Sequence, residues 1–176
     1  MPNNQPDRAS AGRRGRKATP ALIALEQAGV KYELATFPAD RVPAALGEGY
    51  GPAAARALGA SPDLVFKTLM VKIDDQLWCA VIPVSRHLDL KAMARAGGGK
   101  RSTLAAVTEA ERATGYLVGG ISPIGQRNRH ATVIDSTAQR LERIFVSAGG
   151  RGLDVALAPR DLARLTGAMF APIGRL

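Results

Sequence analysis

One cysteine, Cys79, occurs among the 176 residues, so no disulfide can form within the chain. A reducing compartment such as the cytoplasm suits such a sequence. Aromatic residues make up only 5%, so aliphatic side chains must fill most of any core. The two histidines, His87 and His130, stand far apart in polar surroundings that suit a surface. With one cysteine and no histidine pair, no metal site is expected, and nothing in the sequence calls for a cofactor. No Gly-x-Ser-x-Gly elbow occurs. Cys79 itself lies in Leu77-Trp78-Cys79-Ala80-Val81, a setting for an inert buried thiol rather than a nucleophile. A hydrolase built from this sequence must therefore work without an ordinary nucleophile–base pair. No apolar run approaches the roughly 20 residues of a membrane-spanning helix, and residues 1–17 lack the apolar segment of a secretory signal.

Acidic residues are outnumbered too, 15 against 24 Lys and Arg, for a net charge of +9. Arg8, Arg13, Arg14, Arg16 and Lys17 against Asp7 concentrate part of that charge near the N-terminus. Residues 1–17 are polar and poor in large apolar groups, which predicts a disordered basic tail. The remainder, residues 18–176, has the length of one globular domain, and the 46% hydrophobic content of the whole chain fits that reading. The excess charge fits a polyanionic partner such as a nucleic acid, or simply a solvated surface.

Thr19-Pro20 reads as a helix start, with Leu22, Ile23, Leu25 and Ala28 as the apolar face and Gly29 as the stop. A strand is expected over residues 30–37, a loop over 38–49 and a helix over 52–58 closed by Gly59. Residues 64–73 and 77–84 are apolar and partly β-branched, and Asp74-Asp75-Gln76 between them predicts a hairpin. Asp89 is placed to cap a short helix that ends at Gly97-Gly98-Gly99. Thr108-x-x-Glu111 matches a capping box, with Gly115 as terminator. Strands are expected at 132–134, 143–146 and 153–157, and a last helix from Pro159 towards Leu165. This order predicts a mixed α/β domain.

Three features could carry chemistry. In Val65-Phe66-Lys67-Thr68-Leu69-Met70-Val71 a strand puts Lys67 in a row with Val65, Leu69 and Val71. Such a lysine either snorkels to water or holds an anion, a phosphate or a developing oxyanion, from a partly desolvated position. The stretch from Gly115 to Gly125 holds four glycines and Ser122-Pro123. It is either a plain turn or a loop whose backbone N–H groups approach a ligand. Ser147-Ala148-Gly149-Gly150-Arg151-Gly152, with Asp154 beyond, is either an anion or ribose contact or a hairpin turn with Arg151 exposed.

Together and in this order, Phe66-Lys67-Thr68-Leu69, Thr114-Gly115-Tyr116-Leu117-Val118-Gly119-Gly120-Ile121-Ser122-Pro123-Ile124-Gly125-Gln126 and Val146-Ser147 through Arg151-Gly152-Leu153-Asp154 resemble the YbaK/EbsC family of Cys-tRNA(Pro) deacylases. The likeness runs over roughly residues 19–173. It implies the fold of the prolyl-tRNA-synthetase-associated editing domain, a mixed, partly barrel-like sheet flanked by helices. It also implies trans-editing, the removal of cysteine wrongly attached to tRNA(Pro). Lys67 and Gly119 then take the catalytic positions, Lys67 at the acceptor-end phosphate or ribose and Gly119 offering its N–H to the substrate carbonyl. Phe37, Thr68, Gly120, Ile121, Ser122, Pro123, Ser147, Arg151 and Asp154 are implied as substrate-binding. In that family the substrate's own thiol attacks its ester, which removes the need for a protein nucleophile. The implied partners are the acceptor end of tRNA(Pro) and prolyl-tRNA synthetase, with no membrane and a monomer or weak dimer. The chain departs from the family at Phe37, where a tyrosine is usual, at Ala39, where a histidine is usual, and at Gly150, where a basic residue is common. These departures bear on amino-acid specificity, so a deacylase for Ala-tRNA(Pro) or another small aminoacyl-tRNA and a non-catalytic tRNA- or synthetase-binding module are the competing expectations.

Overall fold

A computed structural model describes residues 18–41 and 50–176. The tail expected over 1–17 and most of the loop expected over 38–49 lie outside the described residues. In chain order the elements are α1 (Pro20–Gln27), β1 (Glu33–Thr36), α2 (Tyr50–Leu58), β2 (Phe66–Ile73), β3 (Gln76–Pro83), β4 (His87–Leu88), α3 (Leu90–Ala96), β5 (Ser102–Leu104), α4 (Val107–Thr114), β6 (Ala131–Asp135), β7 (Ile144–Gly150), β8 (Leu153–Leu157), α5 (Pro159–Thr166), β9 (Met169–Ala171) and β10 (Gly174–Arg175).

The expected hairpin forms the centre. β2 and β3 pair antiparallel from Phe66↔Pro83 to Ile73↔Gln76. Asp74 takes a φ of 52° in their turn, a conformation that short polar side chains tolerate. Its carboxylate accepts from the N–H of Lys100 and of Arg101. β5 joins β2 antiparallel, while β6 pairs parallel to β3 and β9 parallel to β6, completing a mixed five-stranded sheet ordered β5-β2-β3-β6-β9. β1, β8 and β7 make a separate antiparallel sheet, and β4 pairs with β10. The mixed α/β expectation is borne out, without closure into a barrel among the described residues.

Alternation along β2 and β3 sorts their side chains between two cores. Phe66, Met70, Cys79 and Val81 face the larger one, where Ala21 and Leu25 of α1, Ala110 of α4, Leu162 of α5 and the inner faces of β7 and β8 close over them. Val71, Ile73, Ala80 and Ile82 face the other side, packed by Met93 of α3 and by Ile173. At about 25 cal/mol per Å² of apolar surface removed from water, this burial on both faces is the main stabilising force.

Two local expectations are corrected. The first strand is narrower than residues 30–37, because the Val30 N–H still bonds the Leu25 carbonyl and closes α1. The capping box does not form: α4 begins one residue before Thr108, with Ala106 as N-cap and no side-chain cap. Thr108 is thus already inside the helix, and Glu111 turns to the Val118 N–H instead.

Candidate active site

The two larger sheets meet at a parallel bridge between Val65 and Phe145. Hydrogen bonds from Phe145 N to Leu64 O and from Val84 N to Val65 O, 2.9 and 2.8 Å, hold that junction. Val65 and Phe145 pack on the same side, against Ala55 of α2 and Val84. Side chains alternate along a strand, so Lys67 and Ser147, each two residues further on, share that side. Ser147 is cross-strand partner to Asp154, which in turn pairs with Ala35 of β1. The topology thus gathers Lys67, Ser147 and Asp154 on one face.

Lys67 is half-buried, and desolvation lowers its pKa from the ordinary lysine value. Among the described residues no carboxylate forms an ion pair with it. Asp154 is only 7% exposed, and no hydrogen bond or ion pair among the described residues holds its carboxylate. Burial pushes that carboxyl up to about 7, so it changes charge near neutrality. Ser147 Oγ donates to the Gly120 carbonyl at 3.0 Å and accepts from the Gly149 N–H at 3.3 Å. No imidazole bonds this hydroxyl, which therefore lacks the partner an activated serine needs.

The glycine-rich loop crosses β7 and β8 closely. A Cβ on Gly120 would stand 3.0–3.1 Å from the backbone of Gly150 and Arg151, so only glycine fits without a shift. Gly119 takes a φ of +92°. The N–H groups on either side of it are occupied, Val118 by the Glu111 carboxylate and Gly120 by the Leu117 carbonyl. The Gly119 N–H has no acceptor among the described residues. Arg151 lies over this glycine and donates through Nη2 to the Val118 carbonyl at 3.1 Å. Arg151 is thus exposed in the β7–β8 hairpin turn, as one of its two readings had it, with its guanidinium tied to the loop.

β7 is irregular between Ser147 and Gly150, where the register with β8 shifts, and the turn beyond it opens a recess of about 530 Å³. Thr36, Phe37, Pro38, Arg151 and Gly152 line it. The volume suits a small organic ligand. Phe37, expected as substrate-binding, is largely buried, and its ring lies 6.3 Å from that of Tyr50 at a 43° tilt. Sequence reasoning missed Tyr50. Its hydroxyl accepts from the Gly152 N–H at 2.9 Å, and the Arg151 guanidinium lies 6.0 Å from its ring centre. Where Phe37 lacks a hydroxyl, Tyr50 brings one from another element to Gly152, a residue that lines the recess.

The remaining candidates lie elsewhere. Thr68, next to Lys67 in sequence, points to the opposite face, and its Oγ1 is buried with no hydrogen-bond partner. Ile121 packs in the larger core. Ser122 is fully buried and accepts from the Ile124 N–H at 3.1 Å, which shapes the loop. Pro123 lines a second recess of about 210 Å³, beside Gln126, His130 and Thr132. His130 is less exposed than its sequence suggested: its Nδ1 lies 2.7 Å from Gln126 Oε1, and desolvation lowers its pKa. Cys79 is fully buried and its thiol is pushed up to about 12 by burial. It is no nucleophile. Among the described residues no three His, Cys, Asp or Glu side chains are grouped to hold a metal ion, and no helix is long and apolar enough to cross a membrane.

A family model for the aminoacyl-tRNA editing domain matches residues 52–165. The chain belongs to that family. The matched span of this editing domain contains Lys67, Gly119, Ser147, Arg151 and Asp154, but leaves Phe37 and Tyr50 outside. A protein of Enterococcus faecalis provisionally named Cys-tRNA(Pro)/Cys-tRNA(Cys) deacylase EbsC is 40% identical over 121 residues, 68% of this chain and 73% of its own length. An uncharacterized Bacillus subtilis protein, YwhH, is 25% identical over 114 residues, 64% of this chain and 72% of its own. Among solved structures, one described provisionally as a trans-editing enzyme for prolyl-tRNA synthetase superposes with a TM-score of 0.75 at 24% identity, covering 89% of this chain and 96% of that one. A hypothetical protein superposes at 0.76, also with 24% identity, covering 89% and 100%. These structures share the fold of the editing domain described above.

Proposed function

We propose that this editing domain is a trans-editing deacylase that hydrolyses cysteine wrongly esterified to tRNA(Pro). The observation that carries the reading is the Gly119 N–H. It has no acceptor among the described residues, and it belongs to a loop bonded to Ser147 of β7, the cross-strand partner of Asp154, and to Arg151 in the turn beyond. An N–H held in that way can stabilise the oxyanion of an acyl-transfer intermediate.

The substrate's own thiol attacks its ester carbonyl, so a sulfur–carbon bond forms and the ester carbon–oxygen bond breaks. The ribose oxygen leaves with the thiol's proton, and water later opens the thiolactone to free cysteine. Intramolecular attack gains from proximity already in place, with effective molarities that can be very large. The protein then needs to orient and stabilise rather than to supply a nucleophile. Its fully buried Cys79 and its serine without an imidazole partner agree with that division. In this reading Lys67 and Arg151 meet the phosphates and ribose of the acceptor end. A bound phosphate would raise the lysine pKa that burial lowers. Ser147 and Asp154 position the aminoacyl-adenosine end, with the ionised Asp154 facing the substrate's α-ammonium. The full reading includes residues 18–176 as one catalytic domain behind a basic tail, a cytoplasmic setting, and work on tRNA(Pro) alongside prolyl-tRNA synthetase.

The test is Lys67→Ala, with single-turnover deacylation and tRNA affinity measured on the same preparation. Deacylation should fall at least tenfold at saturating tRNA. A variant weakened only in binding, on a wild type that does not deacylate, would leave a tRNA-binding module without catalysis.

A further inference from the structure

We infer that Tyr50, at the first turn of α2, is a positioning residue of the deacylation site, holding the glycine turn that carries Arg151 against the Gly119 loop. The inference rests on the function proposed above and adds a residue to it.

The turn after β7 has little to hold it by itself. Gly149 and Gly152 take φ values of +97° and +76°, and glycine gives up more conformational freedom on ordering than any other residue. Gly152 is nonetheless gripped from two sides. Its carbonyl accepts from the Phe37 N–H at 3.1 Å, and its N–H donates to the Tyr50 hydroxyl at 2.9 Å. The second grip is a side chain of α2, 102 residues away along the chain. The face of the same ring receives the Arg151 guanidinium, 6.0 Å from its centre, a cation–π distance. Arg151 then donates to the Val118 carbonyl at 3.1 Å, next to Gly119. The chain of contacts therefore runs from α2 through the Tyr50 hydroxyl to the Gly152 amide, then to Arg151, and ends at the loop that presents the Gly119 N–H. Burial raises the tyrosine's pKa above its ordinary value, the Gly152 hydrogen bond opposes that rise, Asp154 adds to it and Arg151 counteracts it. The phenol is thus neutral at working pH and sits within electrostatic reach of Asp154 and Arg151.

Removing the hydroxyl alone leaves the ring beneath Arg151 and against Phe37, so Tyr50→Phe isolates the grip on Gly152. The expected result is a roughly tenfold fall in kcat for Cys-tRNA(Pro), the size of one hydrogen bond that matters in the transition state, with KM changed less than twofold. Tyr50→Leu, which also removes the surface beneath Arg151, should raise KM as well. A structural readout runs in parallel: the Gly152 amide, followed by ¹⁵N–¹H correlation spectra and hydrogen exchange, should shift and exchange at least tenfold faster in Tyr50→Phe while the remaining spectrum stays folded. An unchanged Gly152 amide, or unchanged kcat in a variant whose amide has shifted, overturns the inference. A wild type that deacylates no Cys-tRNA(Pro) while the Gly152 amide still responds would instead remove the proposed substrate. Tyr50 would then stand as the holder of the turn for another aminoacyl-tRNA, and the same kcat comparison on that substrate would decide its role.

Discussion

Replacing Asp154 with asparagine should stabilise the folded chain at and above neutral pH. Asp154 is 7% exposed, sits in the middle strand of its sheet, and has no hydrogen-bonded or ionic partner for its carboxylate among the described residues. Burial moves its pKa from 3.8 to about 7. Between those two values the folded chain binds one more proton than the unfolded chain, so stability falls as pH rises through that window and levels off above about 7. A shift of about three units at ~1.4 kcal/mol each gives about 4 kcal/mol as the upper bound on the cost of the charged form. Asparagine keeps the shape and carries no charge. At pH 8.5 Asp154→Asn should therefore gain up to about 4 kcal/mol, or about 10 °C in Tm for a chain of this size, and near pH 4 the gap should shrink below ~1 kcal/mol. Urea denaturation of both proteins from pH 4 to 8.5 measures this directly. The burial-shifted His130 lies in the other recess and cancels in the difference, because both proteins carry it. Deacylation should fall in the same variant, since the group that destabilises the fold is the one assigned to the substrate. Equal or lower stability of the variant at pH 8.5 would refute the reasoning, because it would mean the ionised carboxylate is held by a favourable partner.

Three further outcomes follow from individual residues. Cys79, with its thiol pushed up to about 12, should be thiolate in roughly one molecule in 10⁴ at pH 8; alkylation should fail in buffer and label one thiol per chain in urea, and labelling of the folded protein would contradict its burial. Thr68→Val removes a buried hydroxyl without a partner and should leave stability unchanged or raise it by about 1 kcal/mol; a loss above that in denaturant titration would show that the hydroxyl is bonded. Gly119→Ala places a side chain at φ +92° and within 2.7 Å of Arg151 Nε; Tm should drop by a few degrees and deacylation by about 10²-fold, and wild-type turnover would exclude Gly119 as the oxyanion donor.

What could be read from the sequence was what is decided locally. Thr19-Pro20, Asp89 and the left-handed glycine at 115 end or begin helices as expected because a cap or a positive φ is a property of one or two residues. The β2–β3 hairpin was legible from its apolar runs and polar turn. Lys67 stood out because it interrupts an apolar row. The strands β4, β5, β9 and β10 were not legible: each has only two or three residues, too few for a period, and their partners lie far along the chain. Thr108-x-x-Glu111 misled because the pattern says nothing about Val107 starting the helix first. Within the site, the pairing of Ser147 with Asp154 depends on a register that an irregularity in β7 resets. Tyr50 was hidden by its neighbours. It stands between glycines, just before Pro52, where sequence signals loop, and its importance appears only once α2 brings the hydroxyl to Gly152.

The central claim is that the substrate's thiol does the attacking while the protein orients it and stabilises the oxyanion. Single-turnover deacylation of Cys-tRNA(Pro) and Ala-tRNA(Pro) by the wild-type chain, run side by side, tests it most directly. The cysteinyl ester should be cleaved, and the alanyl ester should not be cleaved above the uncatalysed rate. Equal cleavage of both would contradict it, since alanine has no thiol and its removal demands a positioned water.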